Sequence, residues 1–282
     1  MNLVHNFLIK LCTDNEFKKT FKDSPEKALN NEGIEREKWE SLKKIDLDEI
    51  DLFSHSIMRR RTNRLFQAFS YSMKLVGEDK FKLLLKEFHY LYPAKPYQYP
   101  AAFHEGKLFL EMIESLIVEG KLPEIIADTI KYELAVSYID TKNKLVKLSP
   151  CTSIEFEKLS LSGNIIIFES FYDIQKLIKG TVTDPCKVKK QEDKLFYIMY
   201  KDGYENKMLK INQEVKELLA EFEGKRNAGE YIKGFLKRKY QEIPEDYVVK
   251  CLELIKYLYT HGILITEKEK FDTLFLKDLL VP

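Results

Sequence analysis

The chain has 282 residues, 44% of them hydrophobic and 32% charged, with 46 Lys and Arg against 45 Asp and Glu. That composition supports a buried core and excludes a disordered chain, and the length accommodates one large domain or a few small ones. The formal net charge of +1 argues against a general electrostatic surface for nucleic acid or anionic membrane, while leaving room for a local patch.

Cys12, Cys151, Cys186 and Cys251 lie far apart and form no CxxC or Cys/His ligand pair. Free thiols in a reducing compartment are the expected state. Asn2 to Ile9 lacks the basic start, long apolar core and small-residue cleavage site of an export signal. No run approaches the roughly 20 apolar residues that span a bilayer. A cytoplasmic protein with no membrane partner is therefore expected.

Residues 1–50 read as a small helical unit. Leu3, Phe7, Leu8 and Leu11 recur at helical spacing, and Phe17 and Phe21 form the next pair. Ser24-Pro25-Glu26 is a helix start, Gly33 stops that helix, and Trp39 and Leu42 mark the apolar side of the following one. Residues 51–145 read as a helical bundle. Leu65, Phe66, Phe69, Met73 and Val76 lead to Gly77, and Phe81, Leu84, Leu85, Phe88 and Leu91 continue to Pro93. The prolines of Tyr92–Pro100 predict an extended linker. Phe109–Glu119 and Leu122–Ile139 are two further amphipathic helices. The polar Thr141–Leu161 stretch, with Pro150, marks the expected domain boundary.

Residues 151–282 change periodicity. Asn164–Phe168 is a short β-branched run, and Leu195–Lys201 alternates up to a turn at Asp202-Gly203. Lys207–Ile211 supplies the returning strand. Asn212 is expected to cap a helix ending at Gly224, Asn227 opens a second, Pro244 starts a third over Glu245–His261, and Ile263–Ile265 closes the unit after Gly262. The predicted fold is therefore α+β: an N-terminal all-α bundle, then a small winged-helix-like domain of antiparallel sheet plus three helices.

Candidate chemistry is sparse. The five histidines show no HxH or HxxxH spacing, and no GxGxxG, GxxxxGK[ST] or GxSxG motif occurs. No catalysis, metal or cofactor is expected in this chain. The densest basic cluster is Arg59-Arg60-Arg61 with Arg64, read either as a phosphate or acidic-partner contact or as a solvated helix face. The Tyr90–Tyr99 stretch reads either as a stiff aromatic interface or as a loop packed on its own bundle. A DNA-reading helix needs basic or amide residues at its start, whereas Pro244-Glu-Asp-Tyr-Val begins acidic and then apolar. Nucleic acid is not the expected partner. On the same helix Val248, Leu252, Ile255 and Tyr259 form one apolar stripe facing the core. Tyr247, Cys251, Leu254 and Leu258 form a second, either buried as well or lining a groove beside Lys207–Ile211, where an extended peptide could add as a strand.

Residues 55–266 resemble a known family. The motifs are Arg60-Arg61 through Arg64, Phe69, Leu75-Val-Gly-Glu-Asp-Lys-Phe81, Tyr92-Pro93, Phe109-Leu110, Glu133 within Leu122–Tyr138, and Asn164–Ile174 with Leu195–Ile211 and the three helices after it. They are similar to the partner proteins of multinuclear non-heme iron-dependent oxidative enzymes, as in methanobactin biosynthesis. Val76 before Gly77 and the order Glu133-Leu134 depart from the family pattern. The Leu11 to Leu29 pattern is similar to a helical unit of some ring-opening dioxygenase small subunits and peptide leaders.

The resemblance implies a division of labour. The iron and the oxidative chemistry belong to a separate TIM-barrel enzyme, with which this chain would form a heterodimer. This chain would hold the leader of a ribosomally made precursor peptide on a domain like a peptide recognition element. Met208, Lys210 and Ile211 would supply the docking strand, and Tyr247, Cys251, Leu254 and Leu258 the groove. Tyr92, Tyr97, Tyr99, Arg60, Arg61 and Arg64 are the expected partner interface. The alternatives are a winged-helix DNA-binding regulator and the small subunit of an extradiol-type dioxygenase.

Overall fold

The computed structural model describes residues 3–92, 101–141, 153–179, 188–241 and 245–266. The chain is α+β and divides into two compact units, residues 1–130 and 131–282. The expected linker from Pro93 to Pro100, and most of the expected boundary stretch (142–152), lie outside the described residues.

The first unit opens with short helices that share one core. They are α1 (Leu3–Thr13), α2 (Asn15–Asp23), α3 (Pro25–Asn31) and α4 (Trp39–Leu42), followed by the long α5 (Leu47–Ala68). Each is too short to persist alone, so packing holds them. Phe7 is fully buried and meets Phe17 and Phe21 edge to face at 5.6 and 5.4 Å. The Asp14 carboxylate accepts from the Phe17 amide at 2.9 Å, which caps α2. Trp39 packs against this cluster and donates its indole N–H to the Ile34 carbonyl at 2.8 Å.

The helical run expected up to Gly77 breaks once before it. Phe69 leaves helical geometry (φ −115°, ψ 46°) and separates α5 from α6 (Ser70–Val76). Gly77 then takes φ 88°, ψ 138°, a conformation that suits only glycine, and starts α7 (Glu78–Leu91). α8 runs Ala101–Val118, well before the predicted start at Phe109, and α9 runs Ile125–Asp140. Phe109 of α8 is fully buried among Phe69, Phe81 and Phe88, with ring centroids 5.6, 5.5 and 5.4 Å away.

The second unit carries the sheets. Its strands are β1 (Lys158–Leu161), β2 (Ile165–Ser170), β3 (Leu195–Asp202), β4 (Glu205–Ile211), β5 (Glu223–Asn227) and β6 (Leu264–Thr266). Its helices beyond α9 are α10 (Ile174–Ile178), α11 (Gln213–Ala220), α12 (Ala228–Lys239) and α13 (Glu245–Thr260). β2-β3-β4 form an antiparallel meander, turned at Gly203 with φ 62°. β5-β1-β6 form a second three-stranded sheet. Ile263–Ile265 therefore closes a separate sheet rather than the meander.

The helix capped by Asn212 ends at Ala220 rather than Gly224. Phe222 is buried and the chain becomes β5 directly after it, so backbone pairing with β1 ends the helix. Asn227 and Glu230 form a reciprocal capping box at the start of α12. Tyr231, Ile232, Phe235 and Leu236 of α12 join Ile255, Leu258 and Tyr259 of α13 and Phe196, Ile198 and Tyr200 of β3 in one core. Among the described residues no helix is long and apolar enough to cross a membrane.

Candidate functional site

Among the described residues β4 is an edge strand of the meander, with β3 as its one strand neighbour. The two-residue turn pairs Asp202 with Glu205, and the register continues Tyr200 with Lys207, Ile198 with Leu209 and Phe196 with Ile211. In an antiparallel ladder those pairs exchange hydrogen bonds, while the alternating pairs Met199–Met208 and Tyr197–Lys210 do not. The main-chain N–H and C=O of Met208 and Lys210 therefore point away from β3. These are the groups an added strand requires.

The side chains of β4 divide between two faces of the sheet. Leu209 and Ile211 lie on the face of the helical core. Asn206, Met208 and Lys210 lie on the other. There Asn206 donates to the Asp140 carboxylate at 2.8 Å, and Lys210 sits 3.6 Å from Asp173.

Two interactions set how α13 passes the strand. Near its start, Cys251 lies in the field of Glu214 in the first turn of α11, just beyond the end of β4. Near its end, Tyr257 is hydrogen-bonded to Tyr200, the cross-strand partner of Lys207. Leu254 lies between these two positions in α13 (Glu245–Thr260). Leu209, Val215, Cys251 and Leu254 are half-buried at the margin of the core. Tyr247 and Tyr257 are exposed beyond them, and Tyr247 packs on Tyr240 at 5.4 Å.

The groups here are neutral or basic in character. Burial first, and then Glu214, push the Cys251 thiol up, so it stays protonated at neutral pH. Burial and the neighbouring Tyr257 push the Tyr200 phenol up to about 12. Among the described residues no group of three or more His, Cys, Asp or Glu side chains is placed to hold a metal ion.

The Met208 and Lys210 side chains lie on the sheet face opposite the helical core, whereas Cys251 and Leu254 lie at the margin of that core beside Leu209, and Tyr247 is exposed. The structure separates Ile211 and Leu258 from them. Ile211 is buried and turns its main-chain groups to β3, so it offers nothing to an added strand. Leu258 has 0% exposure and belongs to the core. Helical spacing assigned it correctly to a stripe, but the stripe dives inward as α13 nears β3. Leu209 was legible from the alternation in Lys207–Ile211. Val215 and Tyr257 needed the tertiary fold.

The expected interface in the first unit is altered more strongly. Arg61 is buried at 4% exposure. Its Nε donates to Glu105 at 2.7 Å and its Nη2 to the Tyr92 carbonyl at 2.8 Å. Arg64 reaches the second Glu105 oxygen at 3.3 Å. Arg61 is therefore an internal strut rather than a docking residue, because a carboxylate from α8 neutralises it inside the unit. Tyr92 is half-buried, with its ring stacked on Phe88 at 5.1 Å. Among the described members of that set Arg60 alone is exposed, and Tyr97 and Tyr99 lie outside the described residues. Beside Arg61, His89 is buried and shares a hydrogen bond of 3.0 Å with the Thr62 hydroxyl. Burial, reinforced by Arg61, pushes its imidazole down to about 4.

Comparison of the chain with protein-family models finds no match, and a search among curated proteins also finds none.

Proposed function

We propose that this chain is a non-catalytic partner subunit that holds an extended peptide on its second unit. The observation that carries this reading is the outward main chain of Met208 and Lys210 on the edge strand β4. A peptide added there would gain ladder hydrogen bonds from β4 while its alternate side chains met Leu209, Cys251 and Leu254. The meander followed by α11, α12 and α13 is read as a winged-helix-like peptide recognition domain. β6 departs from that plan by joining β1 and β5.

The peptide is the leader of a ribosomally made precursor, and the chemistry is that of a separate multinuclear non-heme iron enzyme of TIM-barrel fold. This assignment rests on the sequence resemblance.

The test has two stages. Tagged chain is captured from its native cells, and the retained proteins are identified by mass spectrometry and assayed for iron. A stoichiometric iron-containing TIM-barrel protein supports the partner reading, and recovery of the chain alone and iron-free at mild salt contradicts it. Precursor peptides encoded nearby are then titrated into wild type and Met208→Pro. Proline at this position spares the β3 ladder, whose bonds Met208 does not make, and removes an outward donor. Peptide affinity should fall at least about ten-fold, the loss of one well-placed main-chain hydrogen bond plus a clash. Equal affinity would refute strand addition at β4.

A further inference from the structure

The outward face of β4 is not bare. Gln175, in α10, donates its side-chain amide to the Met208 carbonyl at 3.1 Å. That carbonyl is one of the groups turned away from β3. Asp173, the N-cap of α10, lies 3.6 Å from the Lys210 ammonium, and its side chain is only 17% exposed. Two residues apart on α10, a carboxylate and an amide donor thus engage two positions that are themselves two apart on β4. An extended peptide lying along this edge would present alternate residues with the same spacing.

We propose that Asp173 and Gln175 hold the β4 edge closed in the free protein as an internal stand-in for its ligand, and that this ligand is an acidic extended peptide. The proposal rests on the strand-addition reading above and deepens it. The chemistry of the occupant follows from what would be displaced. Entry of a strand removes the Gln175 amide from the Met208 carbonyl and replaces it with a peptide N–H. Asp173 is drawn away from Lys210, whose ammonium then needs a new carboxylate. A neutral or basic peptide would leave that cation without its partner beside a newly buried edge. α10 is a short element of five residues close after β2, so the exchange needs only the Asp173 and Gln175 side chains to swing away from β4. Ile174 and Leu177 are its buried anchors.

Natural proteins protect exposed edges in this manner, by covering them or by placing charge along them. Here the cover is held by one neutral hydrogen bond and one charge pair more than 3.5 Å long. Such a cover is strong enough to prevent edge-to-edge association and weak enough to be exchanged for a better ligand.

The test uses the full chain and three variants, Gln175→Ala, Asp173→Asn and Met208→Pro. Asparagine is chosen at 173 because it retains capping ability while losing charge. The 13C′ resonance of the Met208 carbonyl, which accepts from Gln175, is followed by NMR, with the β3 carbonyls as the internal reference. A library of random twelve-residue peptides displayed on phage is selected on each protein. The Met208 carbonyl resonance should move upfield in Gln175→Ala as it loses that donor, while the β3 carbonyls are unchanged. Peptides enriched in Asp and Glu should be selected, binding Gln175→Ala and Asp173→Asn about five-fold more tightly than wild type.

An unmoved Met208 carbonyl resonance in Gln175→Ala overturns the closed edge. Selected peptides without acidic enrichment, or a failure to select any, overturn the ligand assignment. Acidic peptides that bind wild type and Gln175→Ala equally overturn the stand-in role while leaving strand addition intact. Binding that survives Met208→Pro overturns strand addition itself.

Discussion

Arg61 and Glu105 are 44 positions apart in sequence and meet inside the first unit, Nε to Oε1 at 2.7 Å. The guanidinium spends a second donor on the Tyr92 carbonyl at 2.8 Å, and Arg64 shares the same carboxylate at 3.3 Å. One acid on α8 thereby ties down two cations of α5, and the chain leaving α7 is held through its main chain. A buried guanidinium is tolerated because its charge and its donors are matched.

Removing one side of that arrangement should be more damaging than removing both. Glu105→Ala is expected to destabilise the protein by about 3–5 kcal/mol, since it leaves buried Arg61 without a counter-charge. The double variant Arg61→Met with Glu105→Leu should recover most of that loss. Urea denaturation of the single and double variants checks the order. A double variant as unstable as Glu105→Ala would mean that geometry, not charge compensation, is the main contribution.

His89 predicts a definite acid response. Its imidazole is pushed from the ordinary 6.5 down to about 4, first by burial and then by Arg61. The unfolded chain therefore takes up a proton near pH 6.5, while the folded chain resists until about pH 4. The His89 contribution is fully present above 6.5 and is lost as pH falls through that window. The slope attributable to one proton approaches about 1.4 kcal/mol per pH unit. Other titrating groups add their own slope, so the comparison is with His89→Gln. That variant should flatten the curve between pH 6.5 and 4 relative to wild type, measured by urea denaturation at stepped pH.

Cys251 reports on the candidate groove. Its thiol is raised by burial and by Glu214, and the side chain is half-buried. Alkylation by iodoacetamide at neutral pH should be at least about ten-fold slower than for an exposed cysteine, because the thiolate is the reacting form. The rate should climb with pH through a range above the usual thiol value. Glu214→Gln should speed it modestly. A bound peptide should slow it further, and mass spectrometry of the 250s fragment separates this cysteine from the rest. Modification of Cys251 as fast as an unfolded control would mean that the groove margin is open.

The elements most legible in the sequence were those whose local signals agree. Asn227 announced the α12 start, and the structure adds its reciprocal cap with Glu230. The alternation of Leu195–Lys201 and the turn signal at Asp202-Gly203 announced the β3–β4 hairpin, whose turn falls at Gly203-Tyr204. The apolar positions of α12, Tyr231, Ile232, Phe235 and Leu236, are all buried. β5 carried no such signal. Glu-Gly-Lys-Arg-Asn has neither alternation nor β-branched residues, and it is a strand because β1 pairs with it.

Side-chain destination was less legible than element type. Four arginines in six positions read alike in sequence, yet Arg60 is exposed and Arg61 is buried. What distinguishes them is Glu105, whose approach depends on how α8 packs against α5. Leu254 and Leu258 sit on one helical stripe, yet one lies at the margin and the other in the core. The sequence alone determined the hairpin and the helix starts, since these follow from period, turn residues and capping chemistry within a few residues. It did not determine the register, because Ile211 was expected on the docking strand yet turns its main chain to β3. Only the tertiary structure decided that Gln175 meets the Met208 carbonyl and that Glu105 neutralises Arg61, because those partners lie 33 and 44 positions apart and no local pattern encodes their meeting.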